Sequence, residues 1–213
     1  MSVIVKICGI TNLEDALAAA ESGADAIGFV FHEPSPRYVS FEQAAVIARK
    51  LPPHVVKVGV FVDAPDEMVF GAAASCGLNL LQFHGTETPE YCLQFGLMSM
   101  KAVRVQDEQS LRDLEKYATD AWLLDSFVPG QPGGTGATFN WTLARQAIRL
   151  GRPIFLAGGL TPDNVAEAVR TVQPYGVDVS SGVEAVPGKK DLQKVRAFIQ
   201  AAKMAAVSSS ITA

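Results

Sequence analysis

The residues of this chain best suited to chemistry sit where short apolar runs end. Cys8 follows Val3–Ile7 and precedes Gly9, with a helix start expected a few residues on. A free cysteine is usually an inert hydrophobe, but near a helix N-terminus its thiol ionises more easily and becomes a base or nucleophile. Asp125 closes the run Trp122-Leu-Leu-Asp125. A lone carboxylate there is either a loop cap or a general acid. Two glycine-bearing segments, Ala157-Gly-Gly-Leu-Thr161 and Ser180-Ser-Gly182, each follow an apolar run near the C-terminus. Gly158, Gly159, Ser181 and Gly182 are therefore candidate phosphate-binding residues, since glycine lets backbone N–H groups approach an anion closely. Arg37, between Pro36 and Tyr38, lies in a stiff loop and suits bidentate carboxylate binding. His84 and Asp178 stand equally between site residue and satisfied structural group.

The elements that must position these groups alternate throughout the chain. Strand-like runs are expected at Val3–Cys8, Asp25–Phe31, Val55–Val62, Leu78–Phe83, Ser99–Val105, Ala121–Asp125, Pro153–Ala157 and Val177–Ser180. Helices are expected between them. Thr11 with Glu14, and Ser40 with Gln43, read as capping boxes. Further helices are expected over 66–75, after Thr88-Pro89, over 109–116 and 140–150, after Thr161-Pro162, and from Asp191 to about Ala206. Eight strand–helix pairs in the chain's first 206 residues average about 26 residues each, which fits βαβ crossovers. The strands are continuously apolar, as strands covered on both faces should be. The expected fold is α/β, a single-domain (β/α)8 TIM barrel over residues 1–206. A flexible tail is expected at 207–213. The rival, an open doubly wound sheet, lacks the GxGxxG expected after its first strand. In a barrel, all the candidates above gather at the C-terminal mouth, with Cys8 and Asp125 facing each other from strands one and six. That layout suits general acid–base work. The long Ser126–Thr138 segment, with Pro129-Gly-Gln-Pro-Gly-Gly-Thr-Gly136, is the expected lid.

Composition narrows the function. The chain has 213 residues, 48% of them hydrophobic, with a net charge of −4. It gives no basic footprint for nucleic acid and no apolar run long enough for a membrane span. Three cysteines cannot all pair, and no targeting signal is evident, so free thiols in the cytoplasm are expected. The three histidines have no metal-ligand spacing and no CxxC occurs, so neither a metal nor a cofactor is expected. Cys76 and Cys92 read as structural.

Taken together, Lys6-Ile-Cys-Gly-Ile-Thr11, Gly28-Phe-Val-Phe31 with Ser35-Pro-Arg-Tyr38, Leu81-Gln-Phe-His-Gly85, Leu124-Asp125 with Gly133-Gly-Thr-Gly136, Leu156-Ala-Gly-Gly-Leu-Thr161 and Val177-Asp-Val-Ser-Ser-Gly-Val-Glu184 resemble the phosphoribosylanthranilate isomerases of tryptophan biosynthesis. The likeness extends to Pro187-Gly-Lys-Lys-Asp191. It implies a cofactor-free Amadori rearrangement of N-(5′-phosphoribosyl)anthranilate to 1-(2-carboxyphenylamino)-1-deoxyribulose 5-phosphate. It further implies Asp125 as general acid, Cys8 as general base, and the backbone around Gly158, Gly159, Ser181 and Gly182 as phosphate site. Arg37 would pair with the anthranilate carboxylate, and His84 and Asp178 would line the substrate pocket. The expected partner is a small phosphosugar, bound by a monomer or homodimer. Alternatives are the related aminoaldose isomerase of histidine biosynthesis, expected to carry Asp in place of Cys8, and a non-catalytic phosphosugar-binding barrel. A third, a lyase or synthase acting on an indole glycerol phosphate, would need an inward Lys or Glu acid–base set.

Overall fold

The computed structural model of the protein describes residues 2–126 and 141–211. Eight parallel strands close into a ring in sequence order: β1 (Ile4–Cys8), β2 (Ala26–Val30), β3 (Val56–Phe61), β4 (Leu80–Phe83), β5 (Met98–Val105), β6 (Ala121–Ser126), β7 (Ile154–Leu156) and β8 (Gly176–Val179). The ring closes where β1 pairs with β8, in the register Lys6 opposite Asp178. This is the (β/α)8 barrel the alternating pattern implies.

Alternation of side chains along each strand builds two cores. One set packs outward under the helices, including Ile7, Ile27, Phe61, Leu81 and Leu124. The other fills the barrel, with Ala26, Val58, Leu80, Met100, Leu123 and Phe155 in one cluster. Cys8, Val30 and Val60 form a separate small cluster at the C-terminal ends of the first three strands. Cys8 thus belongs to the inward set, at the top of the barrel.

The outer layer holds α1 (Leu13–Glu21), α2 (Phe41–Ala48), α3 (Asp66–Cys76), α4 (Glu108–Leu114), α5 (Trp141–Ile148), α6 (Val165–Val172) and α7 (Leu192–Ile211). It departs from eight regular pairs at one place. Between β4 and β5 there is no α-helix, only a 3-10 turn at Tyr91–Leu93. Pro89 and the left-handed Gly96 (φ 67°) leave too few residues for a stable helix there. The gap is filled by rings, with Phe95 stacked on Phe83 and Tyr91 set edge-on to both. The first cap also differs from expectation. Asn12, not Thr11, caps α1 by accepting from the Asp15 amide, while the Thr11 hydroxyl donates to the Gly188 carbonyl. The Ser40–Gln43 capping box forms as read.

Two further differences lie near the C-terminus. Glu184–Val186 (β9) and Lys189–Lys190 (β10) form a small antiparallel hairpin between β8 and α7. The last helix runs to Ile211, past the expected end at Ala206, because no glycine or proline interrupts Val207–Ile211. The expected lid lies outside the described residues from Phe127 onward, as do Asn140 and the last two residues of the expected tail. Among the described residues, no helix is long and apolar enough to cross a membrane, and no group of His, Cys, Asp and Glu could hold a metal.

Candidate active site

Cys8 ends β1 and is 7% exposed. Lys6, two residues below it on the same inward face, is fully buried and pairs with Asp178 of β8 at 2.8 Å. Burial outweighs the Lys6 ammonium, the main force opposing it, so the Cys8 thiol is held above its ordinary value and not below it as its place near a helix start suggests. Burial works against charge on Lys6 too, but Asp178 and Cys8 outweigh it and hold the ammonium above its ordinary value. Asp178, expected in the substrate pocket, therefore has an oxygen committed to Lys6 one step below the mouth.

Asp125 is the inward carboxylate near the end of β6, opposite Arg104 in the β5 register. Its Oδ2 lies 3.4 Å from His84 Nε2, and both side chains are about one-quarter exposed. His84 Nδ1 lies 3.2 Å from Gln82 Nε2. If that amide donates to Nδ1, the neutral imidazole must carry its proton on Nε2, facing Asp125. Gln82, His84 and Asp125 thus lie in a line along the mouth, and Gln82 was not singled out from sequence. Gln82 Oε1 and Ser180 Oγ are buried polar atoms with no hydrogen-bond partner among the described residues.

The loops after β7 and β8 form the opposite wall. Gly158 and Gly159 both take left-handed backbone (φ 75° and 64°), and among the described residues their N–H groups have no partner. Asn164 braces this turn, donating to the Gly159 carbonyl and accepting from the Thr161 amide. Gly182 sits against the Leu160 carbonyl so closely that no side chain fits. The two glycine loops therefore pack on each other, and the N–H groups of the first stay available to an anion.

Arg37 reaches in from the β2–α2 loop. Its Nε and Nη2 grip Glu184 at 2.8 and 2.7 Å. Glu184 also accepts from Lys190 Nζ at 2.9 Å, and the Lys190 side chain is fully buried. Burial works to raise the Glu184 carboxyl, but Arg37 and Lys190 outweigh it and hold it below its ordinary value. Burial lowers Lys190 in spite of Glu184. With the Nε edge of the guanidinium pinned, its outer Nη edge remains for a second carboxylate. Glu184 was read only as part of a motif, because nothing in sequence spacing shows that it meets Arg37, 147 positions away.

Other residues near the strand ends have structural work. Asp63 ties two loops together by accepting from the Thr86 amide and hydroxyl. Cys76 and Cys92 are buried, each pushed up to about 11 by burial. A groove of about 470 Å³ beside the mouth, lined by His32, Tyr38, Asp63 and Met68, contains neither Cys8 nor Asp125.

A family model described as N-(5′phosphoribosyl)anthranilate (PRA) isomerase matches residues 5–201. The chain belongs to the N-(5′-phosphoribosyl)anthranilate isomerase family. A relative of that name from Pelobacter propionicus is 56% identical over 93% of this chain and 95% of its own length. Another, from Geobacter metallireducens, is 56% identical over 94% and 99%. The crystal structure of phosphoribosyl anthranilate isomerase from Thermotoga maritima superposes with a TM-score of 0.91 at 47% identity, covering 95% of this chain and 99% of that one. A further isomerase structure, in complex with reduced 1-(o-carboxyphenylamino)-1-deoxyribulose 5-phosphate, has a TM-score of 0.86 at 45% identity, with the same coverage. The mouth of this barrel brings together a thiol, a carboxylate, an arginine and two glycine loops.

Proposed function

We infer that the protein isomerises N-(5′-phosphoribosyl)anthranilate to 1-(2-carboxyphenylamino)-1-deoxyribulose 5-phosphate, a step of tryptophan biosynthesis. The observation that carries this reading is the set of groups on one barrel mouth: a thiol on β1, a carboxylate on β6, and an anion cradle after β7 and β8, in a chain of this family. In the proposed mechanism, Asp125 gives a proton to the furanose ring oxygen. The anthranilate nitrogen lone pair then forms the C1′ iminium as the ring C–O bond breaks. Cys8, as thiolate, takes the C2′ proton. The electron pair of that C–H bond moves to the C1′–C2′ bond, neutralises the iminium and leaves an enolamine. Tautomerisation of the enol at C2′ to the ketone, with a proton added at C1′, completes an isomerisation without change of composition. No redox partner is needed, since only protons move.

Binding follows the same division. Gly158, Gly159, Ser181 and Gly182 are proposed to hold the phosphate, and the outer Nη edge of Arg37 the anthranilate carboxylate. Fixing both ends of the substrate leaves the ribose between acid and base, which turns binding energy into orientation. His84 is proposed to hold Asp125 in its reacting position, and Asp178 to act from beneath the pocket. We propose one catalytic domain in the cytoplasm, with three free thiols as support. The proposed assembly is a monomer or a homodimer; the Thermotoga maritima relative is described as a dimeric enzyme from which monomers have been generated. Cys8 argues against the histidine-pathway alternative, and the presence of both Cys8 and Asp125 against a purely binding role. The test is conversion of N-(5′-phosphoribosyl)anthranilate to the aminoketose by the purified protein in chelator-treated buffer. Failure to form that product overturns the reading.

A further inference from the structure

We propose that Lys6 is a positioning residue for the base, its ammonium held beneath the Cys8 thiol by Asp178 so that the thiolate forms inside the barrel. This rests on the assignment of Cys8 as base. A fully buried lysine is costly and persists only when paired. Asp178 supplies that pair at 2.8 Å. A structural ion pair alone, however, does not account for where the pair sits. Lys6 and Cys8 share the inward face of β1, and both reach over the bare α-carbon of Gly28 on β2. A methyl group built at Gly28 would lie 2.8 Å from Cys8 Sγ and 3.2 Å from Lys6 Nζ. The glycine opens the space in which thiol and ammonium approach each other.

The charges around the thiol favour this role. β2 brings only uncharged Gly28 and Val30 against Cys8. β8 brings Asp178, which disfavours the thiolate, and β10 brings Lys190, which favours it less strongly than Lys6 does. Arg37 and Glu184 form their own pair above Gly9. Asp125 on β6 and His84, just past the end of β4, stand across the ring. Lys6 is thus the strongest cation acting on Cys8, and Asp178 offsets it only in part. Burial keeps the thiol above its ordinary value even beside Lys6, and without that ammonium nothing of comparable strength would oppose burial.

The test compares Lys6→Met with Asp178→Asn. Both break the same buried pair, so a merely structural disturbance would move any readout in the same direction. The proposal expects opposite directions. The readout is the pH dependence of Cys8 alkylation by iodoacetamide, located by peptide mass, with kcat/KM followed over the same range. Lys6→Met should move Cys8 ionisation to higher pH by at least about one unit, so that kcat/KM at neutral pH falls about tenfold or more and the deficit shrinks as pH rises. Asp178→Asn should move Cys8 ionisation to lower pH, because the Cys8 thiolate then becomes the anion that pairs with the buried Lys6 ammonium. If Lys6→Met alone does not fold, Lys6→Met/Asp178→Asn removes both charges together and should still shift Cys8 upward. Unchanged Cys8 ionisation without Lys6, or shifts of the same sign in the two single variants, would overturn the proposal. The alkylation readout does not depend on turnover. An active Cys8→Ala enzyme would instead remove Cys8 as base and leave the electrostatic measurement intact.

Discussion

Glu184→Gln is the most informative change outside the reacting groups, because Glu184 touches two cations and neither proposed reacting residue. Its side chain is 5% exposed and accepts from Arg37 at 2.7–2.8 Å and from Lys190 at 2.9 Å. The amide keeps one acceptor but turns an NH2 group toward one of these donors. Arg37 then regains rotamer freedom, which costs about 1 kcal/mol to remove again on binding and corresponds to about fivefold in KM. The chemistry is untouched, so kcat should change by less than about twofold. Arg37→Ala removes the charge-assisted grip itself, about 2–3 kcal/mol or on the order of 10²-fold in KM. In that background Glu184→Gln should add nothing, since the side chain it orients is gone. Steady-state kinetics on the two single variants and the double variant decide the matter. An unchanged KM in Glu184→Gln, or KM effects that multiply in the double variant, would refute the claim that Glu184 acts through Arg37. The same change leaves Lys190 in a buried position with a weaker partner, so unfolding should be easier by about 3 kcal/mol, or about 6–12 °C in Tm.

The acid limb of stability should carry the same signature. Glu184 is held below its ordinary 4.5, so the unfolded chain takes up that proton first as pH falls. Its contribution is present above about pH 4.5 and lost as pH falls through the folded value. Denaturant melts should show wild type losing stability below about pH 4.5 more steeply than Glu184→Gln, and parallel curves would contradict this. Gly28→Ala should cost about 1–3 kcal/mol in chemical denaturation and lower kcat, because the new methyl meets Cys8 Sγ and Lys6 Nζ. Gly182→Ala should force the β8 loop off the Leu160 carbonyl and raise the Kd for inorganic phosphate by about tenfold or more in calorimetry.

Much of this architecture was legible because local rules and global fold agree. The eight apolar runs fall at βαβ spacing, and residues such as Cys8 and Asp125 stand at their ends by position alone. The missing helix between β4 and β5 was not legible. Pro89 reads as a helix start, and only the packing of Phe83, Tyr91 and Phe95 shows how the gap is closed without one. The α1 cap slipped by one residue because Thr11 and Asn12 are both good caps, and a contact with Gly188 claims the Thr11 hydroxyl. In the site, residue type and strand position pointed to the reactive groups but not to their partners. Lys6 with Asp178, Arg37 with Glu184 and Gln82 with His84 and Asp125 depend on barrel closure, register and side-chain rotamers. Closure alone brings Lys6 against Asp178, 172 positions away.

The division of labour between the carboxylate and the thiol is tested most directly with substrate deuterated at C2′. Each of Asp125→Asn and Cys8→Ala is followed for ring opening and for loss of the label. The account predicts that Cys8→Ala opens the ring but retains deuterium at C2′, that Asp125→Asn stalls before opening, and that kcat falls by at least about 10²-fold in both. Release of deuterium at the wild-type rate by Cys8→Ala would contradict it.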